Sequence, residues 1–216
     1  REKFETDPKN QWLSRGPSYR LCGEAIRDQA LLAAGLLVEK SGGPSVKPWQ
    51  PAGIWSEAGA SGGDYQPDAG EGLHRRSLYT FRKRTAPPPS LLTLDAGSRE
   101  ICQARRLTTN TPLQPLIFLN DQGYFECARA LAKRVASEPA DAPDTPLKQA
   151  FLRLTSRLPA APELAALRDL HARELKHFTA DLPATKAVSG EDNPNLAALV
   201  IVCSTLLTCD ATLTNR

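Results

Sequence analysis

The sequence has few aromatic residues, no methionine and no long apolar run. These shortages limit how its core can be built and which segments could cross a membrane. Aromatic residues make up 6% of the 216 residues, so a hydrophobic core must be built mainly from Leu, Ala, Ile and Val. No apolar run approaches the roughly 20 residues that span a bilayer. The best candidate, Leu196 to Leu207, is too short and is better interpreted as a buried helix. We therefore expect no transmembrane segment.

The first residues also lack an initiator Met and the pattern of a signal peptide, because Arg1 to Glu5 is charged from the start. We interpret the chain as a mature product or as a fragment of a longer precursor. Neither sign of charge dominates: 27 Lys and Arg stand against 24 Asp and Glu, giving a net charge of +3. So small an excess does not require a polyanionic partner, and we expect no binding to nucleic acid.

The cysteines lack the spacing of common metal and redox sites. None is part of a C-x-x-C motif, which excludes the usual zinc-ribbon, thioredoxin-like and haem-attachment signatures within this chain. We predict buried, unpaired thiols, with a long-range disulfide as the alternative if the protein is exported. No cofactor is expected on the chain itself. The five cysteines are Cys22, Cys102, Cys127, Cys203 and Cys209.

Apolar residues repeat at helical spacing in several segments, and no segment alternates with a period of two. The clearest start signals are Thr111-Pro112-Leu113-Gln114, read as a capping box, and the cap Asn193-Pro194. We predict an all-α fold, an irregular helical domain whose long Pro-, Gly- and Trp-rich loops lie in the first half. A polar loop is expected at 181–192. The predicted helices cover 19–40, 72–83, 112–119, 123–135, 145–158, 162–179 and 195–207.

The length suits one domain, either complete or as the C-terminal fragment of a larger multidomain protein. Within residues 1–216 we distinguish four parts: an irregular lead-in at 1–18, a motif-rich helical half at 19–135, a linker at 136–144 and a C-terminal helical bundle at 145–216.

Cations are concentrated between residues 71 and 106, where only Glu71, Asp95 and Glu100 oppose them. Arginine forks suit phosphate, sulfate and carboxylate groups, so this cluster predicts an anion- or partner-binding face. The alternative is structural, with arginines pairing to carbonyls and distant carboxylates or facing solvent. The candidate residues are Arg75, Arg76, Arg84, Arg105, Arg106 and Asn110.

Trp49, Trp55 and Tyr65 lie in the loop at 42–70 and are candidates for stacking on a sugar or a cofactor. Docking into the core is the alternative. Asp64, Asp68 and Glu71 follow, and paired carboxylates could cut glycosidic bonds, although solvation of a loop explains them as well.

No other pattern assigns a catalytic or metal-binding residue. The sequence has no G-x-S-x-G motif and no cysteine joined to a local histidine. Glu71 with His74, and Glu174 with His177, have the i, i+3 spacing of di-iron bundles. We interpret these histidines as satisfied or exposed. No catalytic residue and no metal ligand is therefore predicted, and an enzyme is the less favoured interpretation.

Several uncommon segments follow one another in an order that carries a family resemblance. They are Arg20-Leu21, Glu24 to Leu31, Gly35 to Leu37, Gly42 to Pro48, Gly53 to Trp55, Arg75 to Thr80, Lys83 to Ser90, Asp95, Arg99-Glu100, Arg105-Arg106, Thr109 to Gln114 and Leu119 to Asp121. From about Asp7 to Arg216 the chain resembles the C-terminal domain of unknown function in planctomycete-type cytochrome-containing proteins, the PSD-one family.

The resemblance implies a long exported protein, periplasmic or at the cell surface, of which this chain is the C-terminal piece. It implies haem c on an upstream domain or a partner, and no established catalytic residue. Our first hypothesis is a non-catalytic scaffold or binding module that docks a redox partner, possibly a c-type cytochrome, or a neighbouring subunit. The alternative is an enzyme module that acts on polysaccharide through the aromatic loop and the acidic group.

Overall fold

The structure is a computed structural model that describes residues 2–16, 18–59, 63–97, 99–100, 102–139 and 141–215. It confirms the all-α prediction. The helices are α1 (Glu2–Thr6), α2 (Gly23–Ala34), α3 (Ile54–Glu57), α4 (Glu71–His74), α5 (Pro89–Thr93), α6 (Leu113–Asn120), α7 (Gln122–Ala136), α8 (Thr145–Thr155), α9 (Ala161–Ala180), α10 (Leu182–Ser189), α11 (Pro194–Thr208) and α12 (Asp210–Leu213). A 3₁₀ turn covers Ser77–Tyr79.

Helix α11 lies at the centre of the fold, because α6, α7, α8, α9 and α10 all pack against it. Its sequence is apolar on most sides, and Ala197, Val200 and Val202 have no exposed surface. The predicted cap is confirmed: the Asn193 side chain accepts a hydrogen bond from the amide of Leu196 at 3.1 Å. The helix predicted at 195–207 is therefore present, and it forms the core.

The motif-rich half is organised by α2 and α7, which pack on each other. Asp121 caps α7, since its Oδ1 accepts from the amides of Gly123 at 2.8 Å and Tyr124 at 3.3 Å. Helix α2 ends at Gly35, whose φ of 74° is the left-handed conformation that glycine adopts without strain. The predicted helix at 19–40 is thus real but shorter.

The helix predicted at 72–83 is wrong. Three residues of α4 and the 3₁₀ turn are helical within it, and the rest of the segment is extended along the loops before it. Val38 bridges Arg75, and Val46 bridges Thr80, both in parallel. The backbone of this segment is therefore bonded to distant residues, and these bonds override the helix that Leu73, Leu78 and Phe81 suggested.

Two further expectations about helix ends are corrected. The polar loop predicted at 181–192 contains α10, capped by Asp181, which accepts from the amide of Ala184 at 3.0 Å. The capping box at Thr111 is absent: α6 begins one residue later than predicted, at Leu113, and Pro112 occupies the cap position. Gln114 is buried and turns to other partners.

Two short strands join distant parts of the chain. Tyr19–Arg20 (β1) pairs antiparallel with Thr214–Asn215 (β2), with Tyr19 opposite Asn215. Within the described ranges, every helix is either too short or too polar to cross a bilayer.

Helix α1 gives regular structure to part of the lead-in at 1–18, which was expected to be irregular.

Candidate functional site

Several of the segments that carry the resemblance contribute residues to one cavity of about 50 Å³. Its walls come from α2, from the loop at 48–50, from the segment 73–80, from the start of α5 and from the first turns of α7. The lining residues include Arg27, Gln50, His74, Thr80, Asp121, Tyr124, Glu126 and Cys127, with apolar surface from Leu31, Pro48, Trp49, Leu73 and Leu91. Polar groups far apart in sequence are therefore collected in one cavity.

Arg27 ties α2 to the extended segment beneath the cavity. Its Nη1 donates to the carbonyl of Arg75 at 2.9 Å and to Ser77 Oγ at 3.2 Å, and its Nη2 donates to the carbonyl of Leu73 at 2.6 Å. Asp28 adds a fourth link, because its Oδ1 accepts from the amide of Ser77 at 2.7 Å. These bonds fix the wall of the cavity and leave the Arg27 fork largely occupied.

Three side chains in the cavity wall carry a polar atom without a hydrogen-bond partner. They are Gln50 through Nε2, Thr80 through Oγ1 and Tyr124 through its hydroxyl, and all three residues are more than nine-tenths buried. Burial raises the pKa of Tyr124 far above its usual value, so the hydroxyl keeps its proton. Buried polar atoms are nearly always paired, so three together in one cavity wall call for an explanation.

Burial shifts the pKa of two further titratable groups in the cavity wall. Burial raises the pKa of Asp121, against the two amide hydrogen bonds at the helix start. Burial likewise raises the pKa of Cys127 to about 12, which makes it an unreactive thiol. At the rim, His74 Nε2 lies 3.2 Å from Glu126 Oε1, and the Glu126 side chain is about half exposed.

Arg75, the first predicted binding residue, belongs to the framework of the fold. It is 5% exposed, and it donates to the carbonyls of Lys40 at 2.9 Å, Pro44 at 3.1 Å and also Gly42. Its guanidinium carbon lies 4.0 Å from the centre of the Tyr79 ring. Arg75 thus closes the loop at 40–44 onto the segment that follows it.

The other predicted binding residues lie apart from the cavity. Arg76 pairs with Asp28 at 3.6 Å, and Arg106 pairs with Glu24 at 2.7 Å. Arg84, Arg105 and Asn110 are exposed. The structure therefore does not gather the six candidates into one site.

Glu24 is the carboxylate that the basic segment actually surrounds. Arg82, whose side chain is almost fully buried, lies 2.8 Å from Glu24 Oε1, while Arg106 binds Oε2. Burial acts to raise the pKa of Glu24, but hydrogen bonds and the two arginine charges outweigh it and hold the pKa below its usual value. This cluster fastens α2 to the segment at 82–106.

Two of the three stacking candidates reach the cavity, and two share a small second core. Trp55 and Tyr65 are buried together in that core, with their ring centres 5.2 Å apart and nearly perpendicular, and Tyr65 also lines the cavity. Lys83 lies over the Trp55 ring at 4.2 Å, so that ring face is covered. Trp49 is only partly buried and lines the cavity. Of the three, Trp49 alone combines a cavity position with some exposure.

The acidic group lies outside the cavity. Asp64, Asp68 and Glu71 are exposed. Asp68 accepts from the amide of Lys47 at 2.8 Å, and Glu71 pairs with the Lys40 side chain at 3.8 Å. They share no wall of the cavity with the aromatic residues.

Neither Glu-x-x-His pair forms a ligand set. His74 turns to Glu126 and not to Glu71, and the His177 ring packs on Phe178 with centres 5.1 Å apart. Across the described ranges, no three His, Cys, Asp or Glu side chains are placed to share a metal ion. All five cysteines are unpaired, but Cys22 and Cys102 are exposed, which corrects the expectation that the thiols are buried.

A larger cleft of about 650 Å³ lies between α2, α8 and the C-terminal strand, and three arginines line it. Arg134 donates to the carbonyls that end α2, Arg153 pairs with Glu138, and Arg157 pairs with Glu163 at 2.6 Å. Two of these arginines are paired with carboxylates and the third is bonded to carbonyls, so the smaller cavity remains the stronger candidate site.

Sequence reasoning missed the residues that build the cavity. Arg27 interrupts the apolar pattern of α2, and Asp121 precedes a helix as a capping residue, so both carried a readable signal. Gln50 and Tyr124 carried none, because their burial follows from long-range packing of the loop onto α7.

One apolar face remains exposed on a short helix. Leu113, Leu116 and Leu119 follow one another at three-residue spacing on α6 and are each about half exposed. The segment leading into this helix contains the exposed Arg105 and, at Thr109, contacts Gln114 at 3.2 Å. Exposed Arg105 and the exposed leucines of α6 are thus close along the chain.

The comparisons with known proteins give one result. The model of a family described as PSD1, protein of unknown function (DUF1553), matches residues 1–171. Searches of the curated proteins and of the solved structures return no match. Because the matched part covers well over half of the sequence, the chain belongs to the PSD1 family of proteins of unknown function.

Proposed function

We propose that this chain is a non-catalytic docking module of an exported, planctomycete-type protein linked to a c-type cytochrome. The observation that carries the proposal is the leucine face of α6 (Leu113, Leu116 and Leu119), together with the exposed Arg105 and Asn110 in the segment that leads into this helix. Interfaces combine an apolar centre with a polar, charged rim, and these residues offer both kinds of group. Its occupant is a haem-bearing domain with acidic groups around an apolar contact.

The distribution of arginines supports this interpretation. Arg27, Arg75 and Arg82 are fixed inside the fold by carbonyls and by Glu24, so they are not available to a partner. Arg105 lies outside that network, is exposed, and belongs to the segment that leads into α6. Exposed cations at the edge of an interface act mainly on the rate of association and on its dependence on salt.

The test is a calorimetric titration of this chain with the c-type haem domain of a PSD1-family protein. We expect saturable binding that weakens as salt is added. Leu116→Ser should weaken it about tenfold, because residues at an interface centre contribute more than 1 kcal/mol each. Arg105→Glu should slow association, and so weaken binding at low salt, and it should reduce the dependence of binding on salt.

The matched control is Leu158→Ser, since Leu158 is also well exposed but follows α8, away from α6. This variant should bind as the unmodified chain does. Absence of binding to the haem domain, or equal binding by the Leu116 and Leu158 variants, would contradict the proposal.

A further inference from the structure

We propose that the cavity between α2, α7 and the loop at 48–50 binds the hydroxylated end of a small neutral ligand, such as the terminal diol of a polyol. This site is separate from the leucine face and does not depend on the docking function. The proposal rests on the unpartnered groups in the cavity wall, on the balance of charge around it and on its size.

The unpartnered groups define what the ligand must offer. Gln50 Nε2 can only donate, so the ligand needs an acceptor atom. The hydroxyls of Thr80 and Tyr124 can each donate and accept. A pair of neighbouring hydroxyl groups on the ligand satisfies all three, since each ligand hydroxyl also donates and accepts.

The charges around the cavity favour a neutral ligand. Asp121 and Glu126 carry carboxylates, His74 lies at the rim, and Arg27 is the one permanent cation among the lining residues that the structure describes. Arg27 already donates to three acceptors, so an anion would meet two carboxylates without a free arginine fork. A cation lacking acceptor atoms would leave the Gln50 amide unpaired.

The size of the cavity limits the part of the ligand that can enter. A water molecule needs about 10–15 Å³ of such space, and benzene occupies an engineered cavity of about 150 Å³. A volume of about 50 Å³ therefore accepts roughly four non-hydrogen atoms, which suits a two-carbon diol. The remainder of a longer ligand would lie at the partly exposed rim, against Trp49 and Glu126.

The experiment measures binding of glycerol and erythritol by saturation-transfer NMR, with acetate and methylammonium as charged probes. Tyr124→Phe removes one unpartnered hydroxyl and keeps the ring, so this variant should fold and be at least as stable. Gln50→Met is the second variant and removes the amide. Tyr19→Phe is the matched control, because Tyr19 is half exposed and lies at the β1–β2 pair.

We expect saturable binding of both polyols and little or none of acetate and methylammonium. Tyr124→Phe and Gln50→Met should each weaken polyol binding about tenfold, the effect of one buried hydrogen bond, while Tyr19→Phe changes nothing. Three outcomes would overturn the proposal: no saturable binding of a polyol, as for a cavity that holds water alone; tighter binding of a charged probe; or equal polyol binding by the unmodified chain and both cavity variants.

Discussion

Arg75 offers the sharpest test, because its predicted role on a binding face and its observed role in the framework give opposite results. Arg75→Lys keeps the charge but replaces a planar fork with a single ammonium group. Lysine can retain one of the three carbonyl contacts to Lys40, Gly42 and Pro44 and loses the flat stacking on Tyr79. If Arg75 belongs to the framework, this substitution must lower the stability of the fold.

The magnitude follows from these contacts. Lys40, Gly42 and Pro44 are exposed residues, so water can replace part of what is lost. Two lost hydrogen bonds at about 1 kcal/mol each and a stacking contribution of about 0.5–1 kcal/mol give about 2–3 kcal/mol. For a chain of this size that loss lowers the unfolding temperature by about 5–10 °C.

The assay is thermal and urea unfolding followed by circular dichroism, with Arg84→Lys as the control at an exposed position. The control should change the free energy of unfolding by less than about 0.5 kcal/mol. Combining Arg75→Lys with Tyr79→Leu should reveal a coupling of about 0.5–1 kcal/mol, because the two side chains touch. The framework role would be refuted if Arg75→Lys unfolded as Arg84→Lys does.

Three further predictions follow from burial and charge. Leu206→Ala should lower the free energy of unfolding by about 2–5 kcal/mol in urea unfolding, because Leu206 is fully buried in α11; a loss under about 1 kcal/mol would argue against a central α11. The hydrogen bond from Arg157 lowers the pKa of Glu163 from 4.5 to about 2. The contribution of this pair to the stability of the protein is therefore fully present above pH 4.5 and is lost as the pH falls toward 2. Glu163→Gln should therefore flatten the decline of stability in that range, and an unchanged pH profile would contradict it. Cys22 and Cys102 should be alkylated in the folded protein and Cys203 only after unfolding, because burial raises the pKa of Cys203; mass spectrometry that finds Cys203 modified early would contradict this order.

Local signals in the sequence predicted the helices well where each helix carries its own cap and apolar face. The Asn193 cap and the continuous apolar run after it defined α11, and the periodicity of α7 needed only its own residues. Helix α10 shows a signal that was overlooked. Asp181 followed by Pro183 is a start signal, and Gly190 is a stop signal.

The extended segment and the cavity depend on contacts between residues far apart in the sequence. The segment after Gly72 has the apolar residues Leu73, Leu78 and Phe81, from which a helix was predicted, but the buried side chain of Arg75 and the bridges to Val38 and Val46 hold it extended. Such bonds join residues more than thirty positions apart, and no window of sequence contains both partners. The cavity depends on the same contacts, so Gln50 and Tyr124 could not be recognised as neighbours beforehand.

The family match stops at residue 171, yet the helix around which the others assemble starts only at Pro194. A protein trimmed to the matched boundary would keep α2, α6, α7 and α8 but turn their inner faces toward water, and it should aggregate. Anyone who excises this domain for expression, crystallisation or fusion to another protein should therefore keep the chain at least through Asn215, where the last described strand pairs with Tyr19.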